Sequence, residues 1–246
     1  MATTPSAGFL KTKLLGRQEV AERTMAFRLE KPAGWAFKAG QSIDLTLLDP
    51  PETDAEGNTR ALTIASAPSE ENLMVATRLR DTAFKRTLQA IPVGTELKIE
   101  GPFGNLLLHN KAERPAVFLA GGIGITPARS MAVHATREKL THRIFVFYAN
   151  RRPEDAAFLA ELEALQKDNP RFKLIATMTG MAKSNRKWDG EADHIDKKML
   201  AKHLSDLLSP VYYVTGPPAM VAAMRRTLND AGVNDDDIRS EEFSGY

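Results

Sequence analysis

From Ala116 onward the chain alternates short, largely apolar runs with longer amphipathic ones. That alternation restricts its possible folds more than any other feature. "AVFLA" is followed by "PARSMAVHATREKL", "RIFVFYA" by "PEDAAFLAELEALQKD", and "FKLIATMT" by "HIDKKMLAKHLSDLL". "VYYVTG" then precedes "PPAMVAAMRRTLNDAG", and "DIRSEEF" is left to supply a fifth strand. Apolar runs this short suit strands buried on both faces of a parallel sheet. With helices between them, they predict an open, doubly wound α/β sheet.

The first hundred or so residues follow a different rule. "KTKLLGRQEVA", "TMAFRLEKP", "QSIDLTLLD", "RALTIAS", "LMVATRLR" and "TELKIEG" are β-rich, several with period-two alternation. Breakers such as "KAG", "PPETDAEGN" and "PVG" separate them, and one helical insert, "TAFKRTLQAI", stands among them. Six strands at this spacing predict a small antiparallel β-barrel. The expected fold is therefore two domains, residues 1–110 and 111–246, with the boundary in the charged, proline-containing stretch around 108–115.

Composition excludes several chemistries. The 246 residues include no cysteine, which removes disulfides, thiolate metal sites and cysteine-ligated iron–sulfur clusters. Five histidines lie scattered without metal-ligand spacing. A net charge of +2 gives no argument for nucleic acid or a membrane surface. No apolar run approaches the roughly 20 residues that span a bilayer, and the N-terminus lacks the pattern of a secretory signal. A cytoplasmic protein is the expectation.

Candidate chemistry begins at the first strand-to-helix turn, "AGGIGITPARS". Gly121, Gly122 and Gly124 let the backbone turn tightly and approach a ligand. Thr126 is placed to N-cap the helix, with Pro127 at its first position. Exposed amides at a helix start favour an anion such as a pyrophosphate, although a tight corner needs the same glycines. The second strand ends in "ANRRPED" without the acidic residue that a common dinucleotide site places there for the ribose. Arg151 and Arg152 stand instead, and read as loop residues. "VTGPP" makes a rigid turn with Gly216, Pro217 and Pro218 at the ligand-binding edge of the sheet; taken alone, it reads as punctuation. In "RALTIASAP", Arg60 opens a strand that also carries Thr63, fitting either a phosphate anchor or an ordinary surface arginine.

In this order, "RALTIASAP", "GPFG", "AGGIGITP", "VTGPP" and an aromatic near the C-terminus resemble the ferredoxin–NADP reductase superfamily. The likeness runs from "AGQSIDL" to "EEFSGY" and is strongest to short bacterial ferredoxin or flavodoxin reductases and related flavin-dependent oxidoreductases. It implies FAD on the N-terminal barrel and NADP(H) or NAD(H) on the α/β domain. By resemblance Arg60 grips the flavin pyrophosphate, a contact suited to a guanidinium fork, and Thr63 hydrogen-bonds near flavin N5. Ala61 and Leu62 complete that motif, with Leu62 where the family usually has tyrosine. Thr77, Arg78, Phe84 and Lys85 fall at the flavin side, Lys85 replacing a usual hydroxyl at the start of the short helix. "GPFG" reads as mainly structural.

The resemblance further implies that Gly121, Gly122, Ile123, Gly124, Ile125 and Thr126 cradle the nicotinamide dinucleotide, with Gly216, Pro217 and Pro218 beside it. Thr215 stands where the family commonly has cysteine near the nicotinamide. Phe243, or secondarily Tyr246, is expected to stack on the flavin, with Glu241 as the nearby carboxylate. The implied reaction is hydride transfer between NAD(P)H and flavin. Electrons then pass to a separate carrier such as ferredoxin or flavodoxin, for which Arg78, Arg80, Lys85 and Arg86 offer positive charge. A flavin reductase that releases its flavin and the reductase component of an oxygenase remain alternatives. So does a non-enzymatic nucleotide-sensing protein, against which stand the near-neutral charge and the lack of an aromatic, basic strand face. Lys183, Arg186 and Lys187 fall roughly where the family meets the 2′-phosphate, inclining the reading to NADPH.

Overall fold

The computed structural model describes residues 9–243. Its first half is a six-stranded antiparallel sheet: β1 (Leu10–Ala21), β2 (Thr24–Leu29), β3 (Ser42–Leu47), β4 (Thr59–Thr63), β5 (Leu73–Arg78) and β6 (Glu96–Phe103), in the order β4-β3-β6-β1-β2-β5. The sheet curls until its edges meet. Just past β4, Ile64 bridges Val75 of β5, and the Ala65 amide donates to Met74 O at 2.7 Å. Register shifts in β1 between Leu14 and Gly16, and between Glu19 and Ala21, provide local bends of the kind curvature needs. Inward residues such as Leu14, Phe27, Leu29, Ile43, Leu45, Val75, Leu97 and Ile99 fill the barrel. Helix α1 (Ala83–Ala90) lies between β5 and β6 and adds Phe84 and Leu88 to that core.

The second half is a parallel sheet of β7 (Ala116–Gly121), β8 (Ile144–Asn150), β9 (Phe172–Met178), β10 (Val211–Gly216) and β11 (Ile238–Glu242), ordered β11-β10-β7-β8-β9. Helices α2 (Ile125–Arg137), α3 (Leu159–Asp168), α4 (Lys197–His203) and α5 (Pro218–Asp230) cover it. Strand alternation sorts the core: Phe118 and Ala120 pack with Ala128, Met131 and Leu162 of α2 and α3. Val117 and Leu119 pack with Leu200, Val221 and Leu228 of α4 and α5 on the other face. The chain adds β8 and β9 on one side of β7, then β10 and β11 on the other. The switch point between β7 and β10 is where an open α/β sheet leaves a crevice at its carboxyl edge.

Two local expectations need correction. Thr126 is not the N-cap of α2: residues 122–124 form a 3-10 turn, Gly124 takes the cap, and the Thr126 hydroxyl donates to Ile123 O at 3.1 Å. Pro127 is accordingly the third helical residue rather than the first. The tight turn follows from close packing, because a Cβ on Gly124 would lie 2.5 Å from Thr215 O. "PEDAAF" does not begin α3 either. Its first residues form a separate 3-10 turn, and Phe158 at φ 61° sets the chain direction before the helix starts.

Arg129 of α2 joins the two halves. Its side chain is 3% exposed, donates to Ala65 O at 2.7 Å, and pairs with Glu70 at 2.9 Å and Glu161 at 2.5 Å. Its neighbour Ser130 donates to Ser66 O at 2.7 Å. On another edge Arg152 bonds both Glu22 of the first half and Asp155.

Candidate active site

A cleft of about 660 Å³ lies at the carboxyl edge of the parallel sheet and reaches the antiparallel one. Gly121, Gly122, Pro217 and Met220 form one wall; Arg78, Leu79 and Arg80, at and just after the end of β5, form another. Gly122 has φ +51° and Gly216 φ +153°, conformations that L side chains rarely adopt. A Cβ on Gly216 would lie 3.2 Å from the Gly121 backbone, so the glycines bring the ends of β7 and β10 together. The fit to a dinucleotide backbone is that of a narrow glycine turn beside arginines.

Asn150, at the tip of β8, is 8% exposed, lines this cleft, and has a buried Nδ2 without a hydrogen-bond partner among the described residues. A buried, unsatisfied amide donor is costly, and a ligand acceptor would relieve it. Sequence reasoning sought a carboxylate at this strand tip and passed over the asparagine, although a lone amide ending an apolar strand was a usable signal. Beyond Asn150 an adjoining hollow of about 560 Å³ is lined by Arg78, Arg151, Arg152, Thr179 and Lys183. Arg186 and Lys187 do not reach it; they line a separate groove with Gln18, Arg28 and Phe158. Of Lys183, Arg186 and Lys187, the three cations expected to meet a 2′-phosphate, Lys183 is the one that lines this hollow.

Of the residues expected at the flavin, Arg60, Phe84 and Lys85 come together at α1. The Arg60 guanidinium lies over the buried Phe84 ring, 5.0 Å from its centroid. Its Nη1 donates to the carbonyls of Glu56, Gly57 and Thr59, and its Nη2 to the Glu56 carboxylate at 2.8 Å. Asp54 accepts from the Ala83 amide at the start of α1 at 2.8 Å, and its other oxygen lies 3.7 Å from Arg60 Nη2. The Ala83 bond, more than Arg60, holds the Asp54 carboxyl below the ordinary range. A carboxylate thus spans the helix start and the guanidinium. This shows that the donor set accepts an anion and fits a flavin pyrophosphate in its chemistry.

Lys85 Nζ donates to Arg78 O at 2.7 Å; burial, with Arg80 and Arg60 nearby, lowers its pKa to about 8. Thr63 and Thr77 are buried, Leu62 packs against the barrel core, and Ala61 is exposed. Arg86 is engaged by Glu52 and Asp81, so its charge is largely neutralised locally.

Thr215 is fully buried and its hydroxyl donates to Gly124 O at 2.7 Å, bracing the glycine turn from inside. Ile123 is half-buried and Ile125 is buried. Pro217 caps α5 and Pro218 opens it. Glu241, opposite Thr215 in the β10–β11 register, has a carboxyl pushed up by burial. The Phe243 amide donates to Gly216 O at 2.9 Å, placing that half-buried residue at the turn that ends β10. Tyr246 lies outside the described residues.

Residues 118–226 match the family model for the oxidoreductase NAD-binding domain. A ferredoxin NADP+ reductase from Neisseria gonorrhoeae, solved with bound FAD and NADP, superposes with a TM-score of 0.78 over 96% of this chain and 99% of that one, at 20% identity. The chain carries an oxidoreductase NAD-binding domain over residues 118–226 and has the fold of a ferredoxin–NADP reductase. The FAD/NAD-binding domain of a Vibrio cholerae nitric oxide dioxygenase shares the superfamily fold with a TM-score of 0.79, at 17% identity over 95% of this chain and 98% of that one.

By sequence, the chain is 28% identical over 224 residues to the glycine betaine monooxygenase reductase subunit of Chromohalobacter salexigens, covering 90% of this chain and 60% of that protein. A component of the Na(+)-translocating NADH-quinone reductase of Pseudoalteromonas atlantica is 30% identical over 201 residues, covering 76% of this chain and 49% of that protein. The chain therefore spans about half to three-fifths of the length of these relatives. Among the described residues no helix is long and apolar enough to cross a membrane, and no cluster of three or more His, Asp or Glu side chains is arranged to hold a metal.

Proposed function

We propose that this chain is an NAD(P)H-dependent flavoprotein reductase that passes electrons to a separate carrier such as ferredoxin or flavodoxin. The observation that carries the reading is the continuity of the two candidate sites. Arg78 lines the dinucleotide cleft, while its carbonyl holds Lys85 at the start of the helix that, with Arg60, receives an anion. When bound, FAD would supply the conversion of a two-electron donor into single-electron steps. Arg60 and Lys85 would neutralise its phosphates, and Thr63 would hydrogen-bond its ring. The turns at Gly121–Gly124 and Gly216–Pro218 orient the nicotinamide dinucleotide, with Thr215 bracing them. Phe243 is proposed as the stacking aromatic and Glu241 as the carboxylate beside it. Residues 1–110 and 111–246 would carry the two cofactors separately.

NADPH is favoured over NADH because Arg78, Arg151 and Lys183 surround a hollow beyond Asn150. A second reading, reductase component of an oxygenase, draws support from the likeness to the glycine betaine monooxygenase reductase. Because residues 1–246 hold no cysteine, a cysteine-ligated cluster receiving their electrons would sit outside them. The proposed location is the cytoplasm.

The test is an anaerobic absorption spectrum of the FAD-loaded protein, titrated with NADPH and then NADH. Bleaching of the flavin bands, at lower NADPH than NADH concentration, is expected. A protein that retains no flavin absorbance once FAD has been added and the unbound flavin removed would overturn the proposal.

A further inference from the structure

The segment between β3 and β4, "DPPETDAEGN", folds back onto α1 and brings three carboxylates with it. Asp54 spans the Ala83 amide and Arg60, Glu56 takes Arg60 Nη2 at 2.8 Å, and Glu52 takes Arg86 Nε at 3.0 Å. Arg60 is left 16% exposed, with its fork already filled. Two of the donors that would meet a flavin pyrophosphate, Arg60 Nη2 and the Ala83 amide, are therefore taken by the chain's own carboxylates, while Arg60 Nη1 is held by loop carbonyls.

These loop contacts are individually weak. The Asp54 side chain is 32% exposed and that of Glu56 64%, and ion pairs this open are typically worth about 0–1 kcal/mol. A pyrophosphate offers two linked charges and several acceptor oxygens to the same donors, so it can displace carboxylates that the loop alone holds in place. Both occupants require the Arg60 fork and the α1 start, which makes their binding mutually exclusive.

We infer that the 52–56 loop is a self-ligand that fills the pyrophosphate site of the free protein and must leave before a flavin dinucleotide is seated. The inference rests on the flavin-binding function proposed for the chain. Its functional consequence is that the loop lowers the affinity for FAD by the fraction of time it is docked, and flavin exchanges with solution. Exchangeable flavin would let the same chain reduce flavin as a substrate that departs, as well as hold it as a fixed cofactor.

The experiment measures FAD and riboflavin binding to the full-length, flavin-free chain by fluorescence quenching, for the natural sequence, Glu56→Gln and the double variant Asp54→Asn/Glu56→Gln. Riboflavin carries the same ring without phosphates. The double variant is expected to bind FAD about tenfold more tightly, Glu56→Gln to fall between, and riboflavin affinity to stay unchanged. In the natural chain, saturating FAD should also speed cleavage after Glu52 and Glu56 by a glutamate-specific protease. FAD binding that is equal or weaker in the double variant, or protection of those bonds by FAD, would overturn the loop's role and leave the flavin reading standing. Failure of all three proteins to bind either flavin would overturn the flavin reading and the inference with it.

Discussion

Replacing Arg129 with alanine gives the most direct test of how the two halves hold together. The guanidinium is 3% exposed and satisfies three groups: the buried Ala65 carbonyl, Glu70 at 15% side-chain exposure, and Glu161 at 42%. Losing the charge-assisted bonds to Glu70 costs about 1.5–3 kcal/mol, and leaving the carbonyl unpaired adds about 1 kcal/mol. The open Glu161 pair adds no more than about 1 kcal/mol. The sum, about 2.5–5 kcal/mol, corresponds to a fall in Tm of roughly 10 °C for a chain of this size. Thermal unfolding followed by circular dichroism would measure it. A double-mutant cycle with Glu70→Gln should return a coupling of about 2 kcal/mol. The pH dependence has a definite sign. Burial works to raise the Glu70 carboxyl, but the Arg129 hydrogen bonds and charge outweigh it and leave the folded pKa depressed. The Glu70 contribution is thus fully present above the unfolded pKa and is lost as pH falls through the lower folded value. A loss below about 1 kcal/mol with no coupling would refute the account of Arg129 as the joint.

Asn150→Ala should weaken NADPH binding about tenfold while leaving FAD binding intact, because it removes a buried, unpartnered donor from a residue lining the cleft; isothermal titration separates the two. FAD affinity should fall as pH rises through about 8, where Lys85 loses its charge, and Lys85→Gln should flatten that profile in a fluorescence titration. Gly124→Ala should cost more than about 2 kcal/mol in urea unfolding, since its Cβ would meet the Thr215 backbone. Gly121→Ala should cost less, because the nearest obstacle is the flexible Met220 thioether.

The strands and helices were readable because each repeats a local rule. "AVFLA" has no polar residue to place, and all five of its residues are buried in β7. "DIRSEEF", with a weaker pattern, still gave β11 because a parallel sheet leaves an edge for it. The glycine turn was legible as a turn, but its cap was not: Thr126 looked like a cap until Gly124 packed against Thr215 O and moved the helix start. Arg60 was legible as a cation near a helix, whereas the destination of the Asp54 and Glu56 carboxylates depends on how an irregular loop folds back, which periodicity does not encode. Arg129 escaped notice for a similar reason. Within "PARSMAVHATREKL" it has the look of a solvent-facing helix residue, and only the packing of α2 on the other half buries it.

The two arginine joints have a kinetic consequence. Arg129 ties α2 to the segment just past β4, and Arg152 ties the loop after β8 to Glu22 between β1 and β2. Swinging one half away from the other as a hinge would break a buried ion pair and a second, partly exposed one together. On the proposed function, a nucleotide that needed the halves to part would have to wait for both joints to break at once.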